Sequence, residues 1–472
     1  MSAALIALAS DDASSAWEHH VLAEVADILD SKRIPVNGKA REGRSGSIPY
    51  YGATGRVGWI DEWIFDEELI LLGEDGAPFL EPAKQKAYSI RGKSWVNNHA
   101  HVLRARAVPS AWLMHFLNTV DYRGLVTGTT RLKLTQAEMR KIVVPVASAA
   151  VMKAVVAEIE KQFSRLDQAV ASLQRVKAQL KRYKASVLKA AVEGRLVETE
   201  AERARREGRG FETGTELAAQ GSANAAGGRK PGAALHYETG EQLLKRILET
   251  RRNQWKGKGK YKEPAAPETV GLPELPEGWV WVALPQLGEI GRGKSKHRPR
   301  DDAKLYGGTY PFIQTGDVRK SDGSIRDYNQ TYSDFGLQQS RLWPNGTLCI
   351  TIAANIAETG ILALPACFPD SVVGFVSDEP MLTRFVEVFI RTIREKLEQF
   401  APATAQKNIN LATLENIMAP LPPLAEQRRI VAEVDRRLSI VREVEAEVDA
   451  NLKRAQTLRQ AVLARAFTGT SS

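Results

Sequence analysis

The chain contains the same unit twice. Residues 142–194 and 417–469 align without a gap: Ile142 meets Ile417, Pro145 meets Pro420, Ala157-Glu158 meets Ala432-Glu433, Val187-Leu188 meets Val462-Leu463, and Gly194 meets Gly469. A second alignment starts upstream at Trp17 and Trp279. It pairs Leu22 with Leu284, Ile28 with Ile290, Lys32 with Lys294 and Pro49 with Pro311. The two offsets, 275 and 262, differ by 13 residues, which marks an insertion or deletion between the aligned segments. Chance similarity between two helices is common. Similarity in two segments, in the same order, is not. The repeated unit is a globular part followed by a long helix.

The helical parts have a clear period. Ile159, Phe163, Leu166, Val170, Leu173, Leu180, Val187 and Ala191 fall on alternating three- and four-residue steps, interrupted by Lys177 and Lys184. Val434, Leu438, Val441, Val448, Leu452, Ala455 and Val462 do the same in the second copy, interrupted by Glu445 and Arg459. This is the seam of a coiled coil. A helix of about 45 residues is roughly 70 Å long. It cannot bury its stripe alone, so the two are expected to pack on each other, antiparallel if the copies relate by a pseudo-two-fold axis. The globular parts contain β-rich runs such as TLCITIAANIAETGILAL and IFDEELILLGEDG, broken by Gly, Pro, Asn and Asp. The expected fold class is mixed α/β.

The organisation follows from these boundaries: an N-terminal stretch 1–16, a globular domain 17–145, a long helix 146–198, an insert 199–270, a second globular domain 271–420 and a second long helix 421–470. The insert holds the low-complexity stretch TELAAQGSANAAGGRKPGAA, expected to be flexible. A short helix follows, GEQLLKRILETRRNQW, with Leu244, Ile247 and Leu248 on one face. Beyond it lies a basic linker with Arg251, Arg252, Lys256, Lys258, Lys260 and Lys262. That linker is either an arm on nucleic-acid phosphates or a solvated connector.

The 472 residues carry a net charge of +9, which favours a polyanionic partner. Two cysteines, Cys349 and Cys367, give neither a metal clip nor a disulfide framework. No stretch approaches the roughly 18 apolar residues of a membrane span, and the start of the chain lacks the basic region of a signal peptide. A cytoplasmic protein without a membrane partner is expected.

Residues 288–295, GEIGRGKS, fit the phosphate-binding pattern G-x-x-x-x-G-K-[ST]. Their context does not. Pro285 interrupts the approach, and KHRPRDDAKLYGG after Ser295 cannot form an amphipathic helix. The first copy reads ADILDSKR at the matching place, without glycine. What remains is charge: Arg292, Lys294, Lys296, Arg298 and Arg300 with no acid among them. Such a loop suits backbone phosphates. The first copy offers Lys32, Arg33, Arg41 and Arg44.

His99 and His101 fall on one strand face without a third metal ligand in sensible spacing, so no metal is assigned and DNA contact or strand packing is expected. The amide edges of Asn97 and Asn98 suit adenine, or one of them caps a turn. GTTRLKLTQ at 128–136 and ATAQKNINLAT at 403–413 occupy matching places before each long helix, with Arg131 opposite Gln406 and Lys133 opposite Asn408. They serve either base reading or helix capping. No cofactor loop, methyltransferase quartet or nuclease carboxylate cluster stands out, and no cofactor is expected.

Several of these stretches carry a resemblance. IPYYGATG (48–55), WVNNHAHVLR (95–104), GTTRLKLTQ (128–136), YKEPAAPETVGLPELPEGW (261–279), CFPDSVVGF (367–375) and LPPLAEQRRIVAEVD (421–435) resemble the DNA-specificity subunits of type I restriction–modification enzymes. The first copy departs from the pattern, with VPVASAAVMKAVV in place of APLPPLAEQRRIV. The resemblance implies two target-recognition domains, each reading half of an asymmetric bipartite site in double-stranded DNA, with an antiparallel helix pair as ruler. It implies a non-catalytic subunit that docks two adenine-methylating modification subunits, joined in the full complex by ATP-dependent restriction subunits. The alternative is a coiled-coil scaffold that binds proteins. The expected DNA-facing loops are 31–44, 97–104, 122–133, 292–300, 314–320 and 405–408. They hold the residues above together with Arg123, Thr129, Gln314, Arg319, Lys407 and Asn408. Charge reversal at Lys294 and Arg298 should weaken binding to every sequence and flatten its salt dependence. An unchanged salt slope in a titration would remove this loop from the phosphate contacts.

Overall fold

The computed structural model describes residues 17–208, 237–257, 259–353, 355–399 and 408–467. The N-terminal stretch and the low-complexity insert lie outside the described residues. The chain divides into two compact units. One takes the described residues up to Ala178 and from Glu445 onward; the other runs from Gln179 to Val444. Both boundaries fall inside the long helices, Ala149–Val192 and Leu424–Phe467, each 44 residues.

Each helix is free of Gly and Pro throughout, so nothing interrupts its hydrogen-bond ladder. Pro422 and Pro423 precede the second helix. The first ends where Gly194 turns to φ +68° and the Arg195 amide donates to the Ala190 carbonyl at 2.9 Å. That left-handed turn favours glycine, and a Cβ there would also strike Pro276.

In the first unit, Glu18–Val21 pairs antiparallel with Val143–Val146, the strand leading into the long helix. A one-turn helix, Leu22–Val25, then feeds Ala26–Ile28 into the edge of an antiparallel sheet. The sheet continues through Ala100–Ala105, Leu69–Gly73 and Ala87–Ile90. Leu69–Gly73 is buried along its length, as a central strand should be. A second sheet orders Gly55–Ile60, Ile48–Gly52, Lys93–Val96 and Phe65–Asp66.

The second unit repeats the opening. Val280–Ala283 pairs with Met418–Leu421, Leu284–Leu287 makes one helical turn, and Glu289–Arg292 joins a sheet edge. That sheet has five strands, continuing through Val372–Val376, Leu348–Thr351, Thr359–Leu362 and Gly323–Ile325. The internal repeat is thus a repeat of structure.

Each unit needs both helices to close its core. In the first, Trp112 donates its indole N–H to the Pro145 carbonyl at 2.9 Å and packs on Trp17 and Phe467, with centroids 5.3 and 4.7 Å away. Val462, Leu463, Ala466 and Phe467, the end of the second helix, lie in that core. Burying a side chain of this kind is worth about 1.5–3 kcal/mol. The helices run antiparallel here: Asp167 pairs with Arg459, and Lys177 with Asp449. Two seam cations of the sequence pattern, Lys177 and Arg459, are therefore paired across the interface. In the second unit, Val187 and Ala191 from the end of the first helix pack with Ile430, Val431, Val434 and Leu438 from the start of the second. The short helix spans Gly240–Asn253, and its fully buried residue is Leu243. Leu244 and Ile247 only pack at the margin of that core. The helix is rotated relative to the face read from its spacing because tertiary contact chose the deeper side.

One buried carboxyl in the second unit carries a consequence. Glu426, in the first turn of the second long helix, is fully buried and accepts the Glu200 amide at 2.9 Å. Burial raises its pKa from 4.5 to about 7, against the Glu200 amide, Trp279 and Arg429, which favour the charge. Below 4.5 both folded and unfolded states hold the proton. Above that value the unfolded chain ionises first, so stability falls as pH rises and the loss is complete above about 7. The stability of the wild type against denaturation should therefore fall by roughly 1–3 kcal/mol as pH rises across this window. Glu426→Gln should flatten that fall, and an identical pH profile in the variant would assign the carboxyl no such role.

Candidate nucleic-acid interface

The structure sorts the expected contact residues into three groups. Arg33 and His101 belong to the interior of the first unit. His101 is buried and bonds Asp30 at 2.6 Å and the Leu134 carbonyl at 2.9 Å. The Arg33 guanidinium reaches Glu74 and the Ala100 carbonyl, both at 2.7 Å. Burial alone would raise the Asp30 carboxyl. The His101 hydrogen bond and charge, the Val102 amide and Arg33 bring it below its ordinary value. Asp30, Glu74 and His101 lie close enough to hold a metal ion. Arg33, and Lys133 at 3.2 Å from Glu74, already supply positive charge to these carboxylates. The cluster fits a salt-bridged core better than a cation site.

The second group is already engaged by other groups of the protein, several of them remote in sequence. Arg44 is held by Asp61 and Glu62, at 2.7 and 2.8 Å, and lies over Trp95. Asp75 holds His99 at 2.6 Å and Arg131 at 2.8 Å. Arg123 grips Asp121 and, through that bond, draws its carboxyl down to about 2. In the second unit, Arg292 donates to the Asp370 carbonyl and Arg300 to the Asp370 carboxylate. Arg298 bonds the carbonyls of Ser295 and His297 in its own loop, both at 2.8 Å. Gln314 donates to Gln330 at 2.6 Å. Asn97 is buried and caps a turn by accepting the His99 amide at 2.8 Å.

The third group is open. Among the described residues, Lys32, Asn98, Thr129, Lys294, Lys296 and Arg319 are exposed, and no hydrogen bond or ion pair engages their side chains. Arg41 lies over the Tyr50 ring at 5.1 Å. Asn408 is exposed, its backbone bridging to Ala353. Lys407 lies outside the described residues.

The glycine pattern has a packing origin. Glu289–Arg292 is a sheet strand, and no helix starts at Lys294. A Cβ on Gly288 would come 2.2 Å from the Val376 carbonyl, and one on Gly293 would come 2.3 Å from the Phe368 carbonyl. The loop after the strand is pinned by its backbone. Gln339 accepts the amides of Lys296 and His297, and Ser340 donates to the Lys294 carbonyl. The lysine side chains are left outside on a fixed frame. Sequence reading missed Asp370, Gln339 and Asp75, because long-range pairing leaves no local pattern. It also missed Arg56 and Lys93, which lie over the exposed rings of Trp59 and Trp63 at 4.3 and 3.7 Å; alternation of aromatic and basic residues was the available signal.

Two related mixed α/β units, each presenting cationic and amide side chains from anchored loops and each closed by the same pair of helices, define a duplicated recognition protein. The profile of the type I restriction modification DNA specificity domain matches residues 14–182 and again 276–450, one match per copy. The chain belongs to that family. It is similar to a putative type I restriction enzyme specificity subunit, S.HindORF215P, of Haemophilus influenzae, with 34% identity over 29% of this chain and 34% of that one. It also resembles the EcoBI specificity subunit of Escherichia coli, with 26% identity over 36% and 37%. The matched stretches thus span little more than a third of these relatives. A chain from a solved structure, "Structural basis underlying complex assembly and conformational transition of the type I R-M system", aligns over 97% of this chain and 98% of its own. Its TM-score is 0.59 at 16% identity, a likeness of fold. Among the described residues no helix is long and apolar enough to cross a membrane.

Arg33→Ala should act on stability. It would strip the partly buried Glu74 of its guanidinium partner and leave only Lys133 beside the carboxylate; breaking a fully buried pair costs about 3–5 kcal/mol, which sets the upper end of the expected loss. The check is the denaturation midpoint of the variant. Normal stability with weakened DNA binding would return Arg33 to the contact surface.

Proposed function

We propose that this protein is the non-catalytic DNA-specificity subunit of a type I restriction–modification enzyme. The observation that carries the reading is the double family match, one in each structural copy. Residues 17–145 and 271–420 act as two target-recognition domains, each reading one half of an asymmetric bipartite site in double-stranded DNA. A 44-residue helix spans about 66 Å, so the helix pair sets the spacing between the halves. Two modification subunits that methylate adenine dock on this subunit, and ATP-dependent restriction subunits complete the complex.

Physical arguments support this division of labour. Lys294, Lys296 and Arg319 in the second unit, and Lys32 in the first, give phosphate contacts that orient the duplex without reading it. Asn98 and Thr129 offer amide and hydroxyl groups to base edges. Arginines held by Asp370, Asp75 and Asp61 shape the loops that present those groups.

Exchanging residues 17–145 for the corresponding segment of a relative with another target should change one half of the methylated sequence and leave the other half and the spacing intact. Mapping methylated adenines in a host carrying the hybrid and its modification subunit checks this. A protein-binding scaffold would give no bipartite motif and no site preference in a gel-shift assay with the modification subunit.

A further inference from the structure

The first unit contains a cleft of about 530 Å³ whose lining includes Asn37, Arg41, Tyr50, Asn97, Asn98 and His99. Its polar groups have a definite polarity. The Asn97 carbonyl oxygen is committed to the His99 amide at 2.8 Å, which fixes the orientation of the side chain. The opposite end, Nδ2, is therefore the free end. Asn97 is only 8% exposed, yet no partner engages that nitrogen among the described residues. It sits beside Gly52, where an added Cβ would come within 3.2 Å of it. Asn98, next in the chain, is exposed and its amide is unengaged. Arg41 lies over Tyr50 at the same cleft, so cationic charge is present for a polyanion.

The Asn97 amino group reaches the cleft from a side chain whose orientation is already fixed, so a ligand that enters meets a positioned donor and needs only to displace water from it. From this cleft we infer that Asn97 and Asn98 are the specificity-determining pair of the first target-recognition domain and that they read the major-groove edge of an adenine. Adenine presents an acceptor, N7, beside a donor, the N6 amino group. The free Asn98 amide matches both at once. The fixed Asn97 N–H adds a donor that suits an acceptor and opposes the amino group of cytosine. Arg41 serves the neighbouring phosphate. This assignment rests on the DNA-reading function proposed above.

The test uses the full chain assembled with its modification subunits and a duplex library with all four bases at every position. Bound duplexes are sequenced for wild type, Asn98→Ala and Asn97→Asp. The aspartate keeps the oxygen that accepts the His99 amide, so the turn survives while the free donor becomes an acceptor. Wild type should select adenine at one position of one half-site. Asn98→Ala should lower that preference by roughly five- to hundredfold and leave every other position of both halves unchanged. Asn97→Asp should lose or invert the preference at the same position or the adjacent one. Unchanged profiles in both variants, a changed position that is not adenine, or an even loss of binding across all positions would overturn the assignment. A wild-type complex that selects no sequence at all would overturn the DNA-reading function itself.

Discussion

An apolar stripe along a 44-residue helix has to be covered, and neither long helix can cover its own. The rest of the structure depends on this requirement. The first unit takes Val462, Leu463, Ala466 and Phe467 from the far end of the chain into its core. The second takes Val187 and Ala191 from the end of the first helix. Each globular part is therefore closed by residues from both copies. Two charges in the seam are answered across the interface: Asp167 answers Arg459 and Asp449 answers Lys177. Ion pairs this exposed contribute little energy, but a like charge in their place would oppose the register.

The same economy governs the loops. Arginine is suited to bidentate and stacked contacts, and here it is mostly engaged: Arg33 on Glu74, Arg44 on Asp61 and Trp95, Arg300 on Asp370. These contacts hold loop backbones in place. The unengaged groups are mainly lysines and amides at the surface. A site built this way separates two jobs. Anchored arginines decide where the loop lies, and free lysines and asparagines meet the ligand. The Asp30, Glu74 and His101 group shows the limit of this logic, since Arg33 and Lys133 supply its positive charge from within the protein.

GEIGRGKS shows why a short pattern needs its surroundings. Two of its glycines, Gly288 and Gly293, are required by carbonyls of Val376 and Phe368 that approach too closely for any Cβ. A phosphate cradle needs the same small residue for a different reason, the approach of a ligand to the backbone. Composition cannot separate the two reasons; the neighbouring strand can.

The sequence by itself determined the duplication, the helical seam and the mixed α/β class, because repeats and apolar periods are properties of order along the chain. Its basic loops and the paired asparagines were equally visible. Tertiary structure alone decided which of those groups are free. Arg33 and His101 look like contact residues in sequence, and they are interior because Glu74 and Asp30 fold onto them from 41 and 71 positions away. Asn97 and Asn98 are neighbours of the same type, and only the His99 amide makes one a turn cap whose amino end alone is free and leaves the other open. Charge balance and hydrogen-bond satisfaction depend on distances of a few ångströms between remote segments, and those distances exist only once the chain has folded.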